Sequence, residues 1–100
     1  MSDKVYTLEE IKAIASPIAR RYDIAALYLF GSYARGDMTN SSDIDLRIDK
    51  GNIRGFQLAG LLLDLEDSLG VPVDLVPTTS LDSHFLDSIR KDEVLLYEAS

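Results

Sequence analysis

Phe30-Gly31-Ser32-Tyr33-Ala34-Arg35-Gly36-Asp37 and, a short polar stretch later, Ser42-Asp43-Ile44-Asp45-Leu46-Arg47-Ile48-Asp49 decide how the chain is read. The second segment alternates strictly. Ile44, Leu46 and Ile48 fall on one side of an extended strand, and Asp43, Asp45, Arg47 and Asp49 on the other. The first segment closes an apolar run, Ala25 to Phe30, with a glycine, which fits a buried strand ending in a turn. Between them, Arg35 to Ser42 is rich in Gly, Asp, Thr, Asn and Ser and suits a tight loop. That loop brings the Gly31-Ser32 turn beside Asp43 and Asp45.

Working outward, Thr7 and Glu10 have capping-box spacing, and Leu8, Ile11, Ile14 and Ala15 recur at helical period. Pro17 then removes a donor and crowds the preceding turn, so this first helix is expected to bend or restart there. After the Lys50-Gly51-Asn52 break, Leu58, Leu62, Leu65 and Leu69 predict a core-facing helix stopped by Gly70 and Pro72. Val71 to Val76 reads as a third strand. Ser80 is the expected cap of a helix through Leu81, Phe85, Leu86 and Ile89, and Val94 to Tyr97 a short last strand. The fold class is α/β (α+β), a small mixed sheet of three to four strands flanked by helices. No repeat, linker or low-complexity tract interrupts it, and residues 1–100 are expected to form one domain.

Composition narrows the functions open to such a domain. Seventeen acidic residues against ten basic ones leave a net charge of -7, with the basic residues scattered. Such a surface repels polyanions, which argues against unassisted nucleic-acid binding. The absence of cysteine excludes disulfides, thiolate metal sites and thiol nucleophiles. Met1-Ser2-Asp3-Lys4 has no apolar signal region and no stretch is long enough for a membrane span, so a cytoplasmic protein is expected. At 11.1 kDa the chain is small for an enzyme that encloses its substrate, which points to a shallow site completed by another chain, in a homo- or hetero-oligomer.

The chemistry concentrates in the opening segments. Carboxylates at i and i+2 of a strand point the same way, so Asp43 and Asp45 form half of a hard-cation site. Uncompensated, they repel, and magnesium is the natural compensator where Cys and His ligands are lacking. Gly31-Ser32 turns the chain sharply, and Ser32 is expected to cap a short helix through Arg35 whose amides face an anion. Asp74, a lone acid within Val71-Pro72-Val73-Asp74-Leu75-Val76, is costly to bury unless it faces solvent or a metal.

Gly31-Ser32, then Asp43-Ile44-Asp45, then Asp74 on a later strand resemble the DNA polymerase β-like nucleotidyltransferase superfamily. Gly31-Ser-Tyr-Ala-Arg-Gly-Asp37 with Ser42-Asp43-Ile44-Asp45-Leu46 looks like its minimal nucleotidyltransferase (MNT) branch, over nearly the whole chain. The resemblance implies the polymerase β-like fold. It implies two Mg2+ ions held by Asp43, Asp45 and Asp74, with Asp74 also accepting the proton of an attacking hydroxyl. It further implies ATP or another NTP as substrate, its phosphates held by Gly31, Ser32 and Arg35. Proteins of this kind resemble the antitoxins of HEPN/MNT toxin–antitoxin pairs, some of which transfer AMP to a tyrosine of a HEPN ribonuclease toxin. A HEPN-type partner is therefore expected.

Plainer roles stand beside these. Gly31, Ser32, Asp43 and Asp45 also suit a turn followed by a solvated strand face, and Asp74 an edge strand facing water. Arg35 reads equally as a phosphate contact or an exposed arginine. Arg47 reads best as an ion-pair partner of Asp49 or Asp74. His84 has no second ligand at metal spacing. Two other functions fit the same residues: a non-catalytic module neutralising a partner by complex formation, and nucleotidyl transfer to a small molecule.

Overall fold

The computed structural model describes residues 5–39 and 41–99. The readings of Met1 to Lys4, and of Asn40 within the loop, lie outside them.

Thr7 caps the first helix, α1 (Leu8–Arg21): its hydroxyl accepts from the Glu10 amide, and the Glu10 carboxylate accepts from the Thr7 amide. Of the two outcomes expected at Pro17, a bend or a restart, the restart does not occur: the helix runs through the proline as one element. Ile11, Ala15, Ile18 and Ala19, on both sides of the proline, are all buried. Their packing offsets the roughly 3 kcal/mol that an interior proline costs. Pro17 itself is exposed, so water reaches the turn it disturbs.

The remaining elements follow in the expected order: β1 (Ala26–Phe30), α2 (Ser32–Arg35), β2 (Ile44–Asp49), α3 (Gly55–Leu69), β3 (Val73–Pro77), one 3-10 turn (Thr78–Ser80), α4 (Ser83–Arg90) and β4 (Val94–Glu98). The sheet order is β3-β2-β1-β4. β1 runs antiparallel to both β2 and β4, while β2 and β3 are parallel and joined through α3, because parallel neighbours need a long crossover. Leu96 is an extra residue in β4 between the partners of Leu27 and Tyr28, a bulge that buries its side chain in the core.

One face of the sheet is apolar. Leu27 and Leu29 of β1 and Ile44, Leu46 and Ile48 of β2 are fully buried with the inward side chains of α1 and α3. Each buried leucine or isoleucine contributes about 1.5–3 kcal/mol of transfer free energy. In α3 the buried stripe is Leu61, Leu65 and Leu69, with Leu58 and Leu62 only partly covered. The expected stripe omitted Leu61, because three consecutive leucines leave the helix phase ambiguous until a sheet is present to choose it. Gly70 ends α3 in the left-handed conformation, φ 71°.

The start of α4 also departs from expectation. Asp82, not Ser80, is its cap, accepting from the Phe85 amide at 2.8 Å; Ser80 belongs to the preceding 3-10 turn. No helix among the described residues is long and apolar enough to cross a membrane.

Candidate active site

The other face of the sheet carries the charged residues. β1 ends at Phe30, and Gly31 takes φ 76°, ψ -153°, a conformation accessible almost only to glycine. Space makes the same demand: a Cβ on Gly31 would lie 2.2 Å from Oδ2 of Asp45. The bare backbone of the turn is thus pressed against that carboxylate.

α2 is a single turn, closed by bonds from the Arg35 amide to the Gly31 carbonyl (3.0 Å) and from the Gly36 amide to the Ser32 carbonyl (2.9 Å). Its first amides have no carbonyl partner within the helix. Tyr33 is buried in the core and anchors the turn from below. Ser32 is the first helical residue and Gly31 the cap, so the expected Ser32 side-chain cap is not formed; the left-handed entry through glycine sets the turn instead. The loop to β2 is held by the Thr39 amide donating to Ser42 Oγ at 2.8 Å and the Ser42 amide to the Thr39 carbonyl at 3.0 Å.

Register places the carboxylates. Asp45 is the partner of Phe30 across the β1/β2 ladder and of Asp74 across the β2/β3 ladder, so Asp74, Asp45 and Phe30 form a row across the sheet. Side chains of paired residues point to the same face. Asp43 lies just before β2 on that face, exposed like Asp74, whereas Asp45 is half-buried. Burial, then the charge of Asp74, then that of Asp43, push the Asp45 carboxyl above the usual carboxylate range, with Arg35 pulling the other way. All four charges therefore share one field. Arg35 is otherwise engaged with Asp37 at 3.2 Å, both side chains at least half exposed.

Among the described residues, no three acids or histidines are gathered tightly enough to form a metal cage as they stand. The donors nevertheless suit a hard cation in kind: carboxylate oxygens on one face, one of them disfavoured as an anion by burial and then by its neighbours. His84 is exposed on α4.

Two residues along β2, the pattern reverses. Arg47 is buried. It donates through Nε and Nη2 to both Glu93 oxygens (3.1 and 2.7 Å) and through Nη1 to Thr78 Oγ1 (2.9 Å) and Asp49 (3.4 Å), and its guanidinium lies 3.9 Å above the Tyr28 ring. The expected pair with Asp49 is present. Glu93, Thr78 and Tyr28 were not foreseen: Glu93 lies 46 residues away, and no local pattern joins it to Arg47.

A mixed four-stranded sheet flanked by helices, with a glycine turn seated on one of several clustered carboxylates, defines a nucleotidyl-transfer fold. Residues 9–100 match the family described as "Polymerase beta, Nucleotidyltransferase", and the chain belongs to it; it is a nucleotidyltransferase of the minimal type. Among its relatives are a candidate protein adenylyltransferase of Methanocaldococcus jannaschii, 37% identical over 86% of this chain and 94% of its own length, and the protein adenylyltransferase MntA of Thermococcus cleftensis, 33% identical over 88% and 94%. Similar solved structures include a candidate minimal nucleotidyltransferase (TM-score 0.75, 28% identity, 89% of this chain and 95% of that one). Another is a toxin–antitoxin complex with AMP-PNP (TM-score 0.71, 26% identity, 93% of this chain and 76% of that one).

Proposed function

We propose that this chain is a magnesium-dependent adenylyltransferase that moves AMP from ATP, or NMP from another NTP, onto a hydroxyl of a partner protein. The acceptor is a tyrosine of a HEPN-type toxin, and the chain is its cytoplasmic antitoxin. The observation that carries this reading is the row Asp74–Asp45–Phe30 with the Gly31 backbone against Asp45. It sets the glycine turn at one end and an exposed carboxylate at the other. The relatives named protein adenylyltransferase and the toxin–antitoxin neighbour support the acceptor class.

Asp43, Asp45 and Asp74 would hold Mg2+, as two ions, which would stabilise the attacking and leaving oxygens of an in-line displacement. The chain's own residues do the rest. Gly31 and Ser32 present amides to the triphosphate, and Arg35 swings from Asp37 to the phosphates. Asp74 takes the proton of the acceptor hydroxyl. The acceptor oxygen bonds to the α-phosphorus, the bond to the β-phosphate breaks, and pyrophosphate leaves toward Gly31 and Ser32.

A partner chain also suits the far side of the molecule. Phe56 is 77% exposed and Leu63 63% exposed on the side of α3 turned away from the sheet.

The test incubates the chain with its HEPN partner, α-labelled ATP and Mg2+. Label is expected on the partner, and Asp43→Asn with Asp45→Asn is expected to reduce transfer about a thousandfold or more, since metal stabilisation is worth several kcal/mol. Complex formation without label would refute the transfer reading. Full neutralisation by the double variant would assign antitoxin action to binding alone.

A further inference from the structure

The proposed reaction leaves the base of the nucleotide without a seat, and one exposed aromatic ring lies next to the site. Phe85, in the first turn of α4, is 44% exposed. Its ring meets that of Phe30 edge to face, with centroids 6.0 Å apart and planes at 86°. Phe30 is itself buried, is the cross-strand partner of Asp45 and immediately precedes Gly31. The Asp82 cap holds the Phe85 amide at 2.8 Å and so fixes the backbone from which the ring projects. The ring is thus an apolar surface set against Phe30, which in turn is paired with the carboxylate against which the phosphate turn is pressed.

We propose that Phe85, supported by Phe30, is the platform on which the nucleobase of the donor nucleotide stacks. This rests on the nucleotidyl-donor reading above. The order of the row decides between donor and acceptor: Asp74, the proton acceptor, is at the β3 end, and Phe30 with Gly31 at the β1 end. A ring beside Phe30 is therefore on the donor side of Asp45, away from the incoming hydroxyl. Stacking also suits the electrostatics. A chain of charge -7 gains little from long-range attraction to a triphosphate, whereas an aromatic face holds a base by contact alone. Every base has a π-face, so the platform discriminates weakly among bases and favours the larger purines.

The chain contains no tryptophan, so Phe85→Trp introduces a single fluorescent reporter. Binding of ATP and of inorganic tripolyphosphate, both with Mg2+, is measured by calorimetry for the wild type and Phe85→Ala, and by fluorescence for Phe85→Trp. Phe85→Ala is expected to weaken ATP about tenfold or more while tripolyphosphate binding stays as in the wild type. Phe85→Trp should keep ATP binding and show quenching with ATP but not with tripolyphosphate. The platform is overturned if Phe85→Ala binds ATP as the wild type does. It is equally overturned if the indole fluorescence of Phe85→Trp ignores ATP, or if wild-type ATP binds no better than tripolyphosphate. A wild type that binds neither ligand would instead bring down the donor reading, and the platform with it.

Discussion

Asp45 and Arg47 stand two residues apart on β2, on one face of one sheet, and their surroundings are opposite. Arg47 is buried, its guanidinium aimed at carboxylates and a hydroxyl and laid over an aromatic ring. Its charge is consumed within the fold. Asp45 is half-buried among like charges, which push its carboxyl up after burial itself has done so. Its charge is left for something the fold does not itself supply. A few ångströms of strand separate a charge that holds the structure together from one that the structure keeps poised, and the two can be told apart by what each loses on substitution.

The largest effect is expected at the satisfied end. Arg47→Ala would leave the largely buried Glu93 carboxylate without its partner, at a cost of about 3–5 kcal/mol. That is a large part of the roughly 5–15 kcal/mol that holds a domain folded. Replacing Arg47 and Glu93 together by leucine should cost less than the single change, because the buried Glu93 charge is no longer orphaned, while Asp49 is more exposed and keeps its bond from Thr78. Urea denaturation measures both, and a cost below about 1 kcal/mol for Arg47→Ala would mean the pair behaves like a surface ion pair, erasing the contrast.

Gly31→Ala tests the junction of the turn with Asp45. The added methyl meets the carboxylate at 2.2 Å and the backbone disfavours any side chain at φ 76°. Displacing the carboxylate by about an ångström should reduce transfer about a hundredfold, with a stability loss of about 1–3 kcal/mol. Steady-state transfer assays beside thermal melts separate the two; unaltered transfer would show that the close approach is incidental.

The smallest effect is the pH dependence of the poised end. A carboxyl raised in the folded state binds more protons folded than unfolded, so it weakens the fold as pH rises from the ordinary carboxylate range through its raised value. Asp45→Asn should flatten that slope and raise the melting temperature of the metal-free chain at neutral pH, even as it removes activity. Melting curves across about pH 4 to 8 read it directly. A lower melting temperature for Asp45→Asn would mean that the carboxylate is stabilised where it stands.

Much of this architecture was legible in the residues. The alternation of Asp43 to Asp49 marked which side chains share a face, Thr7 and Glu10 marked where a helix starts, and Gly31 marked where a strand must stop. Each of these signals is local: a period, a cap or a turn involves neighbours in the chain, and local sterics enforce it wherever the segment ends up. Asp82 in place of Ser80 as the α4 cap, and Leu61 in the buried stripe, were local choices with two near-equal answers that packing decided.

Other features required the folded molecule. Chain order alone does not set which residue of β3 lies beside Asp45; the parallel register does, and it falls on Asp74. The burial of Arg47 depends on Glu93 arriving from the turn before β4, and the exposed ring of Phe85 gains its place only because α4 lays it on Phe30. Which groups face the same way along each strand was written into the residues, since backbone geometry within a segment dictates it. Which of those groups meet across segments was left to the assembled fold, because apolar faces choose their partners by shape and the charges go where the packing carries them.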